Sequence, residues 1–148
     1  MLSLSYRPAV QADLPAILRL LEDLGLTPAG VEEWLPEFLV ATSGDEVVAA
    51  AGLERHGPAV LLRSVAVRPF LRGVGVGQSL VAQLLDGARN GGASEAYLLT
   101  ITAEPYFARL GFGVIGRDQV PDVVKESVEF REACPASATV MSRRLVSL

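Results

Sequence analysis

Arg72-Gly73-Val74-Gly75-Val76-Gly77 sets three alternating glycines between an apolar run and an amphipathic one, and this junction constrains the fold more than any other stretch. The run before it, Val60 to Val67, is rich in β-branched and aliphatic residues and predicts a largely buried strand. The stretch after it, Gln78 to Arg89, places Leu80, Val81, Leu84, Leu85 and Ala88 at helical spacing. A strand, a glycine turn and a helix in succession aim backbone N–H groups and the start of a helix dipole at one point. Such a point attracts anions, phosphates above all. A phosphorylated ligand is therefore expected.

Two common phosphate-binding signatures fail on specific residues. A nucleotide P-loop ends in Gly-Lys-Ser/Thr, whereas the single lysine here is Lys125, far downstream. A dinucleotide fingerprint needs a third glycine where Gln78 stands, and an acidic residue at the end of the next strand, whereas Glu95 precedes Ala96-Tyr97-Leu98-Leu99. The pattern that is met is Arg-x-x-Gly-x-Gly, as Arg72, Gly75 and Gly77. It resembles the pyrophosphate arm of the GNAT family of acyl-CoA-dependent N-acetyltransferases. Ser64-Val65-Ala66-Val67-Arg68-Pro69 resembles that family's fourth strand and its exit. Ala103-Glu104-Pro105-Tyr106-Phe107-Ala108-Arg109-Leu110-Gly111-Phe112 resembles its later helix and the Gly-Phe that ends it. The structural alternative is a glycine run that only turns a corner.

The 148 residues, half of them hydrophobic, suit one domain spanning 1–148. A net charge of -4 advertises no basic surface, so neither nucleic acid nor membrane is an expected partner. No apolar run reaches membrane-spanning length, and Met-Leu-Ser-Leu-Ser-Tyr-Arg at the N-terminus lacks a secretory pattern. The single cysteine, Cys134, excludes an internal disulfide and fits a reducing compartment, the cytoplasm by default. No metal site is expected.

Read along the chain, a strand over Leu2–Arg7 precedes a helix that starts near Asp13 and carries Ile17, Leu18, Leu20, Leu21 and Leu24, with Gly25 as its cap. A short helix over Val31–Trp34 is limited by Pro36. Phe38–Thr42 and Glu46–Leu53 form a hairpin about Gly44-Asp45. After the glycine loop and its helix come a strand over Ala96–Thr102, a helix over Pro105–Leu110, a strand around Phe112–Ile115, a helical excursion and a strand over Ala138–Met141. The fold class is α/β. The resemblance implies a central mixed, mostly antiparallel sheet flanked by helices, with strands 4 and 5 splayed.

The resemblance also implies acetyl-CoA as co-substrate and a neutral amine attacking its thioester. Arg72, Gly73, Val74, Gly75, Val76, Gly77 and Gln78 would then bind the pyrophosphate. Val65, Ala66 and Val67 would pair with the pantetheine, and an N–H of the same strand would face the developing oxyanion. Two departures concern proton transfer. The slot where many members carry the tyrosine that protonates the thiolate is Phe107, and Tyr106 is its neighbour, about a hundred degrees away on a helix. The glutamate that related enzymes place on the fourth strand is replaced by Leu61. Tyr106 is the candidate acid and Glu54 the candidate base, with Glu104 and His56 as other carboxylate and imidazole options, each also readable as a solvated side chain.

Arg63 stands in an otherwise apolar strand, where a buried guanidinium needs a partner. On an alternating strand it shares a face with Leu61 and Val65, and its fork suits a substrate carboxylate; an internal salt bridge is the alternative. Ser64, Thr100 and Thr102 add hydroxyls to a candidate pocket. Pro121 to Phe130, Cys134 to Ala138 and Tyr97 to Thr100 resemble N-acetyltransferases associated with arsenic resistance, which implies a small amino-acid-like amine as partner. Cys134 alone does not make an arsenic site, since soft-metal capture takes two or three thiolates. The family often dimerises, so a homodimer is open to this chain. Two other functions stay open: acetylation of a protein or peptide amine, and an acetyl-CoA-binding module whose catalysis has decayed.

Overall fold

The computed structural model describes residues 3–133 and 137–145; Cys134 and its Pro135-Ala136 neighbours lie outside them. Twelve elements carry the fold: β1 Leu4–Pro8, α1 Leu14–Asp23, α2 Val31–Trp34, β2 Phe38–Ser43, β3 Glu46–His56, β4 Ala59–Val67, α3 Val76–Asn90, β5 Glu95–Thr100, α4 Glu104–Arg109, β6 Gly113–Ile115, α5 Asp122–Lys125 and β7 Thr139–Arg144. The strands hydrogen-bond in the order β1-β2-β3-β4-β5-β7-β6. The sheet is mixed: β4 and β5 run parallel, and β1/β2, β2/β3, β5/β7 and β6/β7 run antiparallel. No helix among the described residues is long and apolar enough to cross a membrane.

The chain divides into two compact units, Met1–Leu53 with Arg63–Leu84, and Glu54–Leu62 with Leu85–Leu148. In the first, α1 buries Ile17, Leu20 and Leu21 against Phe38, Val40, Ala50 and Ala66. Its helical spacing delivers that stripe, and Gly25, at φ +73°, ends it, with Leu26 N–H reaching back to the Leu21 carbonyl at 2.8 Å. Asp13 fixes the approach to α1. It accepts from Val10 N–H at 2.8 Å and from both arms of Arg7 at 2.7 and 2.9 Å. The hairpin turns at Gly44, φ +60°.

In the second unit, Ala59, Leu61, Tyr97, Val120, Val124, Phe130 and Val140 make the core. The β4/β5 ladder covers only Ala59–Leu61 opposite Glu95–Tyr97. β5 continues to Thr100 on β7 alone among the described residues, and β4 from Arg63 on belongs to the first unit. The expected splay is this early end of a parallel ladder. Several boundaries differ from expectation, among them β3, which runs on to His56 rather than Leu53, and β7, which runs to Arg144 rather than Met141. α3 starts at Val76 rather than Gln78, inside the glycine run, and β5 stops at Thr100 rather than Thr102.

Candidate active site

The first unit holds the glycine run. β4 ends at Val67, and Arg68 donates its N–H to the Val48 carbonyl at 3.0 Å. Gly73 and Gly75 have φ of +86° and +85°, backbone that side chains resist, and a Cβ at either would meet no atom within 4 Å. The first bond closing α3 runs from Ser79 N–H to the Gly75 carbonyl at 3.0 Å. The N–H groups of Val76, Gly77 and Gln78 consequently have no acceptor within the helix. Fifteen residues of α3 add the positive end of a macrodipole. Arg72, Val74 and Gln78 are exposed, whereas Val76 and Gly77 are buried. An anion fits this loop: the space beside Gly73 and Gly75 is open, the first N–H groups of α3 lack acceptors within the helix, and the adjoining residue Arg72 is exposed and cationic.

Upstream, Val65 and Val67 are half-buried and Ala66 is buried. Ser64, between them and Arg63, has φ +58°, so the strand kinks there. The kink overturns the expectation that Arg63 shares a face with Val65: burial runs unbroken from Ala59 to Ser64, and beyond it Ala66 joins the α1 core. The Arg63 side chain is 2% exposed. Its Nε donates to Ser64 Oγ at 3.1 Å, and its Nη2 donates to the Ala29 carbonyl.

The second unit holds the candidate proton carriers. Glu54 and His56 point to one side of β3, as residues two apart on a strand do. Glu54 is 1% exposed, and its Oε1 lies 3.0 Å from His56 Nε2. His56, which the sequence also allowed as a solvated side chain, is instead the last residue of β3 and the partner of a buried carboxylate. Tyr106 is half-buried in α4, edge-on to Phe107 at 5.1 Å, with the Arg109 guanidinium 6.0 Å from its ring centre. Burial pushes its phenol above the usual tyrosine range, and the Arg109 charge opposes this. Phe107 is buried and packs edge-on against Phe112 at 6.1 Å. Thr100 is buried, and its hydroxyl accepts from Ala103 N–H at 3.0 Å, which turns the chain into α4. Thr102 lies in the exposed bend after β5 and Glu104 is exposed.

The acetyltransferase (GNAT) family matches residues 6–112, a span that contains the glycine run, β4 and α4. This chain belongs to that family. A curated relative, the amino-acid acetyltransferase of Neisseria meningitidis, is 28% identical over 80% of this chain, and the match spans 29% of the relative's own length. Among solved structures, N-acetylglutamate synthase from Neisseria gonorrhoeae, complexed with coenzyme A and N-acetyl-glutamate, superposes with a TM-score of 0.83 at 24% identity, covering 99% of this chain and 36% of that one. Rv2747 from Mycobacterium tuberculosis, in complex with CoA and NLQ, gives 0.80 at 26% identity, covering 96% and 99%. The GNAT pattern in this chain was legible as Arg72, Gly75 and Gly77. The Glu54–His56 contact was missed, because the expected strand ended at Leu53 whereas β3 runs on to His56. Nothing in the sequence signalled the Ser64 backbone or the bond from Arg63 to Ala29, thirty-four residues away.

Proposed function

We propose that this chain is an acetyl-CoA-dependent N-acetyltransferase that moves an acetyl group to the amine of a small, amino-acid-like molecule by direct attack in a ternary complex. The observation that carries the reading is the loop from Gly73 to Gln78. Two left-handed glycines with free space beside them lead into a helix whose first N–H groups lack acceptors. Support for CoA as the anion comes from family membership and from relatives solved with CoA. Support for an amino-acid-like acceptor comes from the amino-acid acetyltransferase at 28% identity.

Acetyl-CoA, when bound, supplies the thioester. The residues of this chain do the rest. Val76, Gly77 and Gln78 donate N–H groups to the pyrophosphate, and Arg72 adds charge beside it. Val65 to Val67 offer backbone groups to the pantetheine. Glu54, with His56 against it, receives the proton of the incoming ammonium through water. Tyr106 gives a proton to the departing thiolate, for which a phenol raised by burial is in the required protonated form.

The test is free thiol released from acetyl-CoA across a panel: amino acids, phosphinate and arsenic analogues of glutamate, polyamines and a lysine peptide. Turnover confined to small carboxylate-bearing amines is expected. Turnover of the peptide alone would replace the small-molecule reading. Silence with every amine, while CoA still raises the melting temperature, would replace the enzyme with a binding module.

A further inference from the structure

Ser64 is the one non-glycine residue among those described whose φ lies in the left-handed region. It does so in the middle of β4, where extended backbone is the rule. Such a conformation is costly for a residue with a Cβ and persists only where its surroundings impose it. Arg63 supplies that constraint. Its Nε donates to Ser64 Oγ at 3.1 Å, while its Nη2 bonds the Ala29 carbonyl. Ala29 is itself held, its N–H donating to Thr27 Oγ1 at 3.1 Å, and Val31 N–H reaches Pro28 O at 3.2 Å before Gly30, φ +80°, opens α2. One buried guanidinium thus ties the turn between α1 and α2 to the kink in β4.

We propose that Arg63 is a positioning residue that holds Ser64 in its left-handed backbone and so aims the backbone groups of Val65–Val67. The inference rests on the acetyl-transfer reading for its catalytic consequence, and it departs from a role for Arg63 in holding a substrate carboxylate. The kink shifts the strand by one residue, so Ala66 rather than Val65 enters the core. A β4 that ran straight would turn Val65 inward and reverse the direction of each backbone N–H and carbonyl up to Val67. Loss of the tie re-aims these groups instead of merely loosening them. Lysine cannot replace the arginine, because a single ammonium does not span two acceptors in fixed, divergent directions as a guanidinium fork does.

The test compares wild type, Arg63→Lys, Ser64→Ala, Ser64→Gly and the Arg63→Lys/Ser64→Gly double variant by hydrogen exchange and steady-state kinetics. Exchange is read on peptides covering residues 25–31 and 64–68, and it needs no activity. Arg63→Lys is expected to speed exchange at least tenfold in both segments. Adding Ser64→Gly, which is at ease at positive φ, restores residues 64–68 and leaves 25–31 fast. Ser64→Ala, which keeps Arg63 and its bond to Ala29, loosens 64–68 alone; it also serves if Arg63→Lys does not fold. In kinetics, Arg63→Lys lowers kcat at least tenfold, equally for an amino acid and for the matching amine without its carboxylate, with acceptor KM unchanged and kcat recovered in the double variant. A KM rise for the amino acid alone would overturn the proposal in favour of a carboxylate anchor. Unchanged exchange at 64–68 in both Arg63→Lys and Ser64→Ala would also overturn it. If wild type acetylates no amine, the acetyl-transfer reading fails, and the exchange data still decide whether Arg63 holds the kink.

Discussion

Replacing Gly75 with alanine separates what the loop does for the fold from what it does for the ligand. At φ +85° with nothing within 4 Å of the new Cβ, the free protein meets no clash and carries only the left-handed penalty, about 1–2 kcal/mol. For a chain of this size that is a fall in melting temperature of about 2–8 °C. The ligand suffers more. The methyl occupies the open space before the first N–H groups of α3, so at least one charge-assisted hydrogen bond is lost, about 1.5–3 kcal/mol, or roughly ten- to a hundredfold in Kd for CoA. Gly25→Ala is the matched control, because Gly25 also has positive φ, +73°, and empty surroundings, but caps α1. Titration calorimetry with CoA alongside thermal melts reads both quantities. Similar melting shifts with a weaker Kd in Gly75→Ala only are expected. Equal CoA affinity in the two folded variants would refute the assignment of the loop.

Tyr106→Phe is expected to lower kcat by about a hundredfold and to remove the alkaline limb of the kcat profile, which for wild type is expected above the ordinary tyrosine range because burial raises the phenol; an unchanged limb would exclude Tyr106 as the acid. Gly52→Ala should cost about 1–3 kcal/mol in urea unfolding, since its Cβ would fall within the Phe38 ring across the β2/β3 pair. The hydrogen bond from Arg7 holds the Asp13 carboxyl below its ordinary value. Its stabilisation is therefore full above the unfolded value and lost as pH falls through the folded one. Asp13→Asn should cost about 1 kcal/mol at neutral pH, with the gap to wild type closing in acid; a constant gap in the urea midpoint would reject the pairing.

Local signals carried most of the architecture. Helical spacing located α1, the Gly44-Asp45 pair located the hairpin, and Pro36 stood where α2 gives way to a tighter turn at Leu35–Glu37. The ligand loop was legible for the same reason, because glycines at fixed spacing report backbone that other residues avoid. Errors arose where a side chain redirected the backbone. The Thr100 hydroxyl takes Ala103 N–H and ends β5 early, although Ile101 and Thr102 are good strand residues. Val76 and Gly77 enter α3 because the first turn of a helix needs no acceptors for its own N–H groups. The kink at Ser64 had no local signal, since serine is an ordinary strand residue, and its constraint arrives from Arg63 and the distant Ala29.

The most direct measurement is amine-dependent release of free thiol from acetyl-CoA, matched against acetylated amine by mass spectrometry, in wild type and in Gly75→Glu. The account predicts thiol and acetylated amine in equal amounts from wild type. It predicts neither from a folded Gly75→Glu, whose added carboxylate repels the pyrophosphate. Equal turnover by the two proteins would contradict it.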